Sequence, residues 1–203
     1  MLCLAIDSAT EACSAALFDQ GRMVAGLREV IGRGHAERLV PMIAELPGKG
    51  RADRILVSLG PGSFTGVRIG LAAARALGFA WGAQVLGYPT PALVAAQARA
   101  EHPGPVTVCM NGGHGEWFVQ HFDAAGLPEG EVRSLRPEDA ARDVRHGVIA
   151  GSKAEALAMQ AGCDAIALDL LPDARCVNLL PEQLLTSSLA PLYGRAPDAR
   201  LPV

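Results

Sequence analysis

The stretch Gly60-Pro61-Gly62-Ser63-Phe64-Thr65-Gly66-Val67-Arg68-Ile69-Gly70 joins an apolar run, Arg54 to Leu59, to an Ala- and Gly-rich segment reading as a helix from Gly66 to about Gly82. A strand that hands over to a helix through glycines leaves unpaired backbone N–H groups pointing forward, where the helix dipole favours an anion. Ser63 or Thr65 would cap the helix by accepting one of those N–H bonds. Known phosphate and nucleophile motifs fail on these letters. A dinucleotide loop would need glycine at Thr65, a Walker A loop would need Gly-Lys before a hydroxyl, and a nucleophile elbow would need glycines where Pro61 and Thr65 stand. Two readings of the loop remain open: phosphate or nucleotide contact through Gly60, Gly62, Ser63, Thr65 and Gly66, or a loop that only caps a helix and packs against a partner.

Upstream, Leu2 to Ile6 is a continuous apolar run ending in Asp7, as expected of a central strand covered on both faces. Cys13 to Phe18 and Met23 to Arg28 follow around an Asp19-Gln20-Gly21 turn, giving a three-stranded meander. Asp7, Ser8 and Thr10, at the carboxyl end of the first strand, are a second candidate phosphate contact; an Asx turn closed by Asp7 is the alternative. Ala36, Leu39, Val40, Ile43 and Leu46 form a helical stripe, with Pro41 implying a kink or a first-turn position. The helix after Gly66 is apolar nearly all round and must be covered on more than one side. Val85 to Tyr88 and a helix from Pro91 to about Glu101 complete the first half.

Glu101-His102-Pro103-Gly104-Pro105 is the expected boundary. Beyond it Val106 to Met110, Glu116 to Phe122, Glu131 to Leu135 and Gly147 to Ala150 read as strands, with helices at Ser152 to Ala161 and near Pro181 to Leu189. The pattern repeats the first half. It predicts an α/β chain of two ribonuclease-H-like lobes, the architecture of actin-like ATPases and sugar kinases.

The 203 residues are 50% hydrophobic and only 4% aromatic, enough apolar material for one large core or two small ones in close contact. Net charge is −3, which disfavours unaided nucleic-acid binding. Five separated cysteines form no CxxC pair and read as reduced thiols, mostly buried. The five histidines include no i, i+4 pair and sit where surface or capping roles are the default; Glu116 reads as a surface strand residue. Met1 to Ile6 has no basic leader, and the longest apolar stretch, Ala76 to Tyr88, is too short to span a bilayer, so a cytoplasmic protein without a membrane segment is expected.

Leu4-Ala5-Ile6-Asp7-Ser8 to Leu17, the helix His35 to Ile43 with its internal proline, Gly60 to Gly70 and the ending Ala190-Pro191-Leu192-Tyr193-Gly194-Arg195 resemble the TsaB (YeaZ) family over nearly the whole chain. The resemblance implies an actin-like ATPase (ASKHA) fold, with a first lobe over residues 1–102 and a smaller second lobe over 103–203 whose end packs back on the first. It implies a non-catalytic subunit that helps a TsaD-like catalytic subunit and a TsaE-like ATPase form N6-threonylcarbamoyladenosine at position 37 of tRNAs reading codons that start with A. No catalytic residue, metal or cofactor of its own is then expected, ATP or ADP entering only within the complex and tRNA only indirectly.

By the same likeness, the surface that meets the TsaD-like subunit, or a second copy when the chain is alone, would be built from His35, Leu39, Met42, Ile43, Arg68, Leu71, Ala72, Arg75, Ala76 and Phe79. A central helix buried wholly within its lobe is the competing expectation. Where the family usually has Asp-Ala-Arg, this chain reads Asn111-Gly112-Gly113. Two other readings are carried beside this one: a weak ATPase or small-molecule kinase using Asp7, and a peptidase, which lacks both a metal pair and a nucleophile elbow.

Overall fold

The structure, a computed structural model, describes residues 1–194; Arg195 of the closing motif lies outside them. Strands β1 (Leu2–Asp7), β2 (Ala12–Asp19) and β3 (Arg22–Val30) are followed by helix α1 (His35–Glu45), strand β4 (Arg54–Ser58), helix α2 (Phe64–Trp81), strand β5 (Gln84–Tyr88) and helix α3 (Thr90–Glu101). The sheet order is β3-β2-β1-β4-β5, antiparallel across the meander and parallel from β1 to β5. The second half contributes β6 (Val106–Gly113), β7 (Glu116–Phe122), β8 (Arg133–Leu135), α4 (Pro137–Arg142), β9 (Val148–Ala150), α5 (Ala154–Ala161) and β10 (Ile166–Leu168). Its order, β10-β9-β6-β7-β8, is the first sheet's order met again. These are two ribonuclease-H-like lobes.

Alternation along β1 and β2 sends side chains to two separate cores. Leu4, Ile6, Cys13, Ala15 and Leu17 pack with Ile55 and Val57 beneath α1 and α2. Ala5, Ala16, Phe18 and Leu56 face the other way, onto Tyr88 and Leu93. Helix α3 closes that second face and turns its opposite side, Ala92, Val94, Ala95 and Ala98, against Val106, Val108 and Phe122 of the second lobe. A helix buried between two sheets needs apolar residues all round.

Helix α2 starts at Phe64, two residues before the expected start, because Ser63 Oγ accepts from the Gly66 N–H (3.2 Å) and so takes the cap in preference to Thr65. On α1 the buried residues are His35, Leu39, Met42 and Ile43, followed by Leu46 just past its end, while Ala36 and Val40 are exposed. The buried stripe is thus rotated by about one residue from the expected one. Pro41 lies mid-helix, which excludes a first-turn position.

Helix α4 and strand β10 had no counterpart in the sequence reading. The helix expected near Pro181 to Leu189 is only a 3-10 turn, Glu182–Leu184, because Thr186 instead pairs with Gly87 beside β5. Before it, a 3-10 turn at Ala174–Leu179 lies on β1, β2 and β3, with the Ala174 N–H donating to Ser14 Oγ (2.9 Å).

Candidate functional site

The two candidate phosphate loops are stitched to each other. Ser63 N–H donates to the Ala9 carbonyl (2.7 Å) and Ser8 Oγ to the Gly66 carbonyl (2.9 Å). The glycines make this possible. A Cβ at Gly62 would overlap the Ala9 carbonyl, one at Gly66 the Ser8 carbonyl, and one at Gly70 would sit 2.7 Å from Ser8 Oγ. The spacing of four thus lays one bare edge of α2 onto the Asp7–Thr10 turn.

Asp7 lies beneath that seam, 1% exposed. Its Oδ1 accepts from the Ala9 N–H (3.0 Å), closing an Asx turn, and its Oδ2 is 3.1 Å from Tyr88 Oη, which is also 3.0 Å from the Ile6 carbonyl. Burial pushes the Asp7 carboxyl up to about 6; the Ala9 N–H and the Tyr88 hydroxyl pull it partway back. Such a carboxylate is held by its own lobe and turned away from solvent.

Between the lobes opens a cleft of about 750 Å³. Of the eight candidate contacts it is lined by Thr10, Gly62 and Ser63; Asp7, Ser8, Gly60 and Gly66 are buried below it, and Thr65 is exposed outside it. The wall is completed by Phe64 of the glycine stretch, by Asn111, by Leu192 and Tyr193 of the closing motif, none of them expected as a cleft contact, and by His114 and Ser152. Arg68, expected on a partner surface, also lines it. Its guanidinium lies 3.5 Å from the centre of the Phe64 ring and donates to Tyr193 Oη (2.8 Å), while Phe64 and Tyr193 stack at 6.0 Å. In a chain with so few aromatics, Phe64 inside a glycine loop was the one local hint of this cluster.

The outer surface of α2 is the other exposed feature. Gly66, Val67, Gly70, Leu71, Ala74 and Gly78 face the lobe, whereas Ala72, Arg75, Ala76, Phe79 and Ala80 face solvent, Phe79 being 93% exposed. Ala36, Val40 and Ala44 of α1 are exposed too. A helix buried wholly within its lobe is therefore excluded. The expected partner set divides: His35, Leu39, Met42, Ile43 and Leu71 are buried in this chain's own lobe, leaving Arg68, Ala72, Arg75, Ala76 and Phe79 at the surface. His35 Nε2 sits 3.3 Å from the Ala12 carbonyl, a buried place rather than a surface one.

Residues 28–143 match the family model of TsaD, tRNA N6-adenosine threonylcarbamoyltransferase. The chain is 35% identical over 148 residues to the tRNA threonylcarbamoyladenosine biosynthesis protein TsaB of Escherichia coli, covering 68% of this chain and 64% of that protein. It is 41% identical over 104 residues to the protein of the same name from Haemophilus influenzae, covering 48% and 43%. YeaZ from Pseudomonas aeruginosa has the same fold with a TM-score of 0.79 and 29% identity, over 95% of this chain and 99% of that one. The chain belongs to the TsaB (YeaZ) family. It spans less than two thirds of the length of those two TsaB relatives.

Where this TsaB-family chain departs from the usual Asp-Ala-Arg, the structure gives a backbone reason. Gly112 sits in a bulge of the β6–β7 hairpin, where a Cβ would lie 2.8 Å from the Glu116 carbonyl, and Gly113 has φ +74°. Asn111 Oδ1 accepts from the Gly113 N–H (3.1 Å), so its side chain braces the turn that edges the cleft.

Farther along, His121 is buried rather than at the surface. It lies 3.1 Å from Thr107 Oγ1 through Nδ1 and 3.0 Å from Asp143 Oδ2 through Nε2. Although paired with a carboxylate, it is lowered to about 4 by burial and by Arg145, His146 and Arg133, so at neutral pH it is an uncharged donor to Asp143. Glu116 accepts from Ser134 Oγ (2.6 Å). Among the described residues no group of three or more His, Cys, Asp or Glu is placed to hold a metal, and no helix is long and apolar enough to cross a membrane. The cysteines are unpaired, Cys13 and Cys109 buried and Cys163 exposed.

Proposed function

We propose that this chain is a non-catalytic partner subunit, supporting a TsaD-like catalytic subunit and a TsaE-like ATPase in forming N6-threonylcarbamoyladenosine at position 37 of tRNAs that read codons starting with A. The single observation that carries this reading is the uncovered apolar face of α2, Ala72, Ala76, Phe79 and Ala80, continued on α1 by Ala36, Val40 and Ala44. A 93% exposed phenylalanine amid alanines loses hydration cost only when something covers it. Small residues let another helix come close.

The segment that matches the TsaD family, residues 28–143, contains both helices of this face. A TsaD-like chain therefore carries a corresponding helix pair, and like faces pack across an approximate two-fold axis. A second copy of this chain offers the same face, which makes self-pairing the state of the isolated protein. A specific interface of this kind buries ~800 Å² per chain. The sealed Asp7 supports a scaffold role for the first loop rather than metal-bridged phosphate contact, and ATP or ADP belongs to the partners.

Omission from a reconstituted mixture tests the reading. Transfer onto tRNA is expected with all three proteins and not with this chain alone; transfer by this chain alone would refute it. Ala76→Arg is expected to leave the fold intact, since Ala76 is exposed, and to abolish both self-pairing in sedimentation and co-purification with the TsaD-like subunit. Ala73 is the poorer probe because it packs partly against the core.

A further inference from the structure

The chain beyond Glu182–Leu184 does not wander. It runs back along α2 in the opposite direction, held by first-lobe residues along its length and by the second lobe at its end. Thr186 and Gly87 exchange two backbone hydrogen bonds (2.8 and 3.0 Å). Arg75 donates to the Leu189 carbonyl (2.8 Å), Leu192 N–H to the Leu59 carbonyl (2.7 Å), and Arg68 to Tyr193 Oη (2.8 Å). Gly194 then lies on the ring of Phe118 in β7, so close that a Cβ there would overlap it.

We propose that Leu189–Gly194 is a strap that couples the exposed face of α2 to the cleft between the lobes, tightening when a TsaD-like subunit covers that face. The proposal rests on the partner reading given above. Its basis is that the two arginines serve both places. Arg68 and Arg75 share one side of α2 with Ala72, Ala76 and Phe79, yet the acceptors they hold belong to the strap. Both bonds are now open to water. A partner on this face removes that water, and a guanidinium out of water depends on the acceptors that remain, the Leu189 carbonyl and Tyr193 Oη. Covering the face therefore fastens the strap, and the strap pins Phe118 and the second lobe across the cleft that Leu192, Tyr193 and Gly194 line. Coupling of this kind is reciprocal: a strap in place strengthens partner binding by the same factor.

The test uses Tyr193→Ala combined with Gly194→Val in the full chain, which removes the attachments of the strap's end to Arg68 and Phe118 and leaves the residues of α2 itself unchanged. Calorimetry with the TsaD-like subunit is expected to show affinity weakened about fivefold or more. Amide exchange over residues 189–194 is expected to slow on adding the partner to the wild type and not in the variant. Unchanged affinity and unchanged exchange, with Ala76→Arg still abolishing binding, would overturn the strap while leaving the partner face standing. Normal binding by Ala76→Arg would overturn the partner face and the strap with it.

Discussion

Gly66→Ala is expected to lower the melting temperature by roughly 10 °C. Its Cβ would land on the Ser8 carbonyl, and both colliding groups are backbone, fixed by the Ser63 cap and by the Ser8 Oγ bond to the Gly66 carbonyl. No side chain can swing away. Overpacking of this kind costs about 3 kcal/mol, and each kcal/mol moves the midpoint of a chain this size by about 2–4 °C. Gly130→Ala is the control: nothing lies within 4 Å of its added methyl, and a shift of less than about 0.5 kcal/mol is expected. Thermal unfolding followed by circular dichroism separates the two, and equal midpoints would show that α2 does not sit against the first loop as described.

Asp7→Asn is expected to raise stability at pH 7.5 and to leave it unchanged at pH 4. Burial pushes the folded carboxyl up to about 6, against 3.8 in the unfolded chain, so between these values the folded chain binds more protons than the unfolded one. Stability therefore falls as pH rises through that window, by about 3 kcal/mol at most. Asparagine removes the charge and keeps the bonds. Its oxygen still accepts from the Ala9 N–H, and its amide donates to Tyr88 Oη while that hydroxyl donates to the Ile6 carbonyl.

His121 has the opposite sign. Its folded value near 4 lies below the free 6.5, so its contribution is lost as pH falls from 6.5 toward 4. In the wild type the two groups offset each other across nearly the same range. In Asp7→Asn the acid loss from His121 stands alone, and the midpoint is expected to drop from pH 6.5 to 4 where the wild type stays nearly flat. A variant as flat as the wild type would contradict the burial of one or both groups.

The first lobe was legible because its signals are local: apolar runs for β1 and β4, a turn between β2 and β3, and a glycine loop ahead of a helix. Pro137, the acids Glu138 and Asp139 and the closing Arg142 carry the end signals of α4, but only Ala140 among its six residues is buried, so no periodicity announces it. Strand β10 has three residues and is equally silent.

Val40 misled because an apolar residue at helical spacing reads as core whether it faces its own lobe or a partner; only Met42, taking the inner place, decides between them. The cleft was beyond reach for a different reason. Arg68 and Tyr193 are 125 residues apart, and Asn111 and Ser152 come from the other lobe, so the wall exists only after the two sheets have packed on α3. The glycines of Gly60 to Gly70 suit the close approach of a phosphate, and what approaches Gly62 and Gly66 is the backbone of Ala9 and Ser8.

The rate of threonylcarbamoyl transfer onto tRNA, with TsaD-like and TsaE-like subunits at fixed concentration, separates a partner face from a nucleotide site within one experiment. Expected is a loss of at least about tenfold with Ala76→Arg and a rate within about twofold of wild type with Asp7→Asn. A full rate with Ala76→Arg together with a lost rate in folded Asp7→Asn would place the function in the first loop and contradict the role assigned to α2.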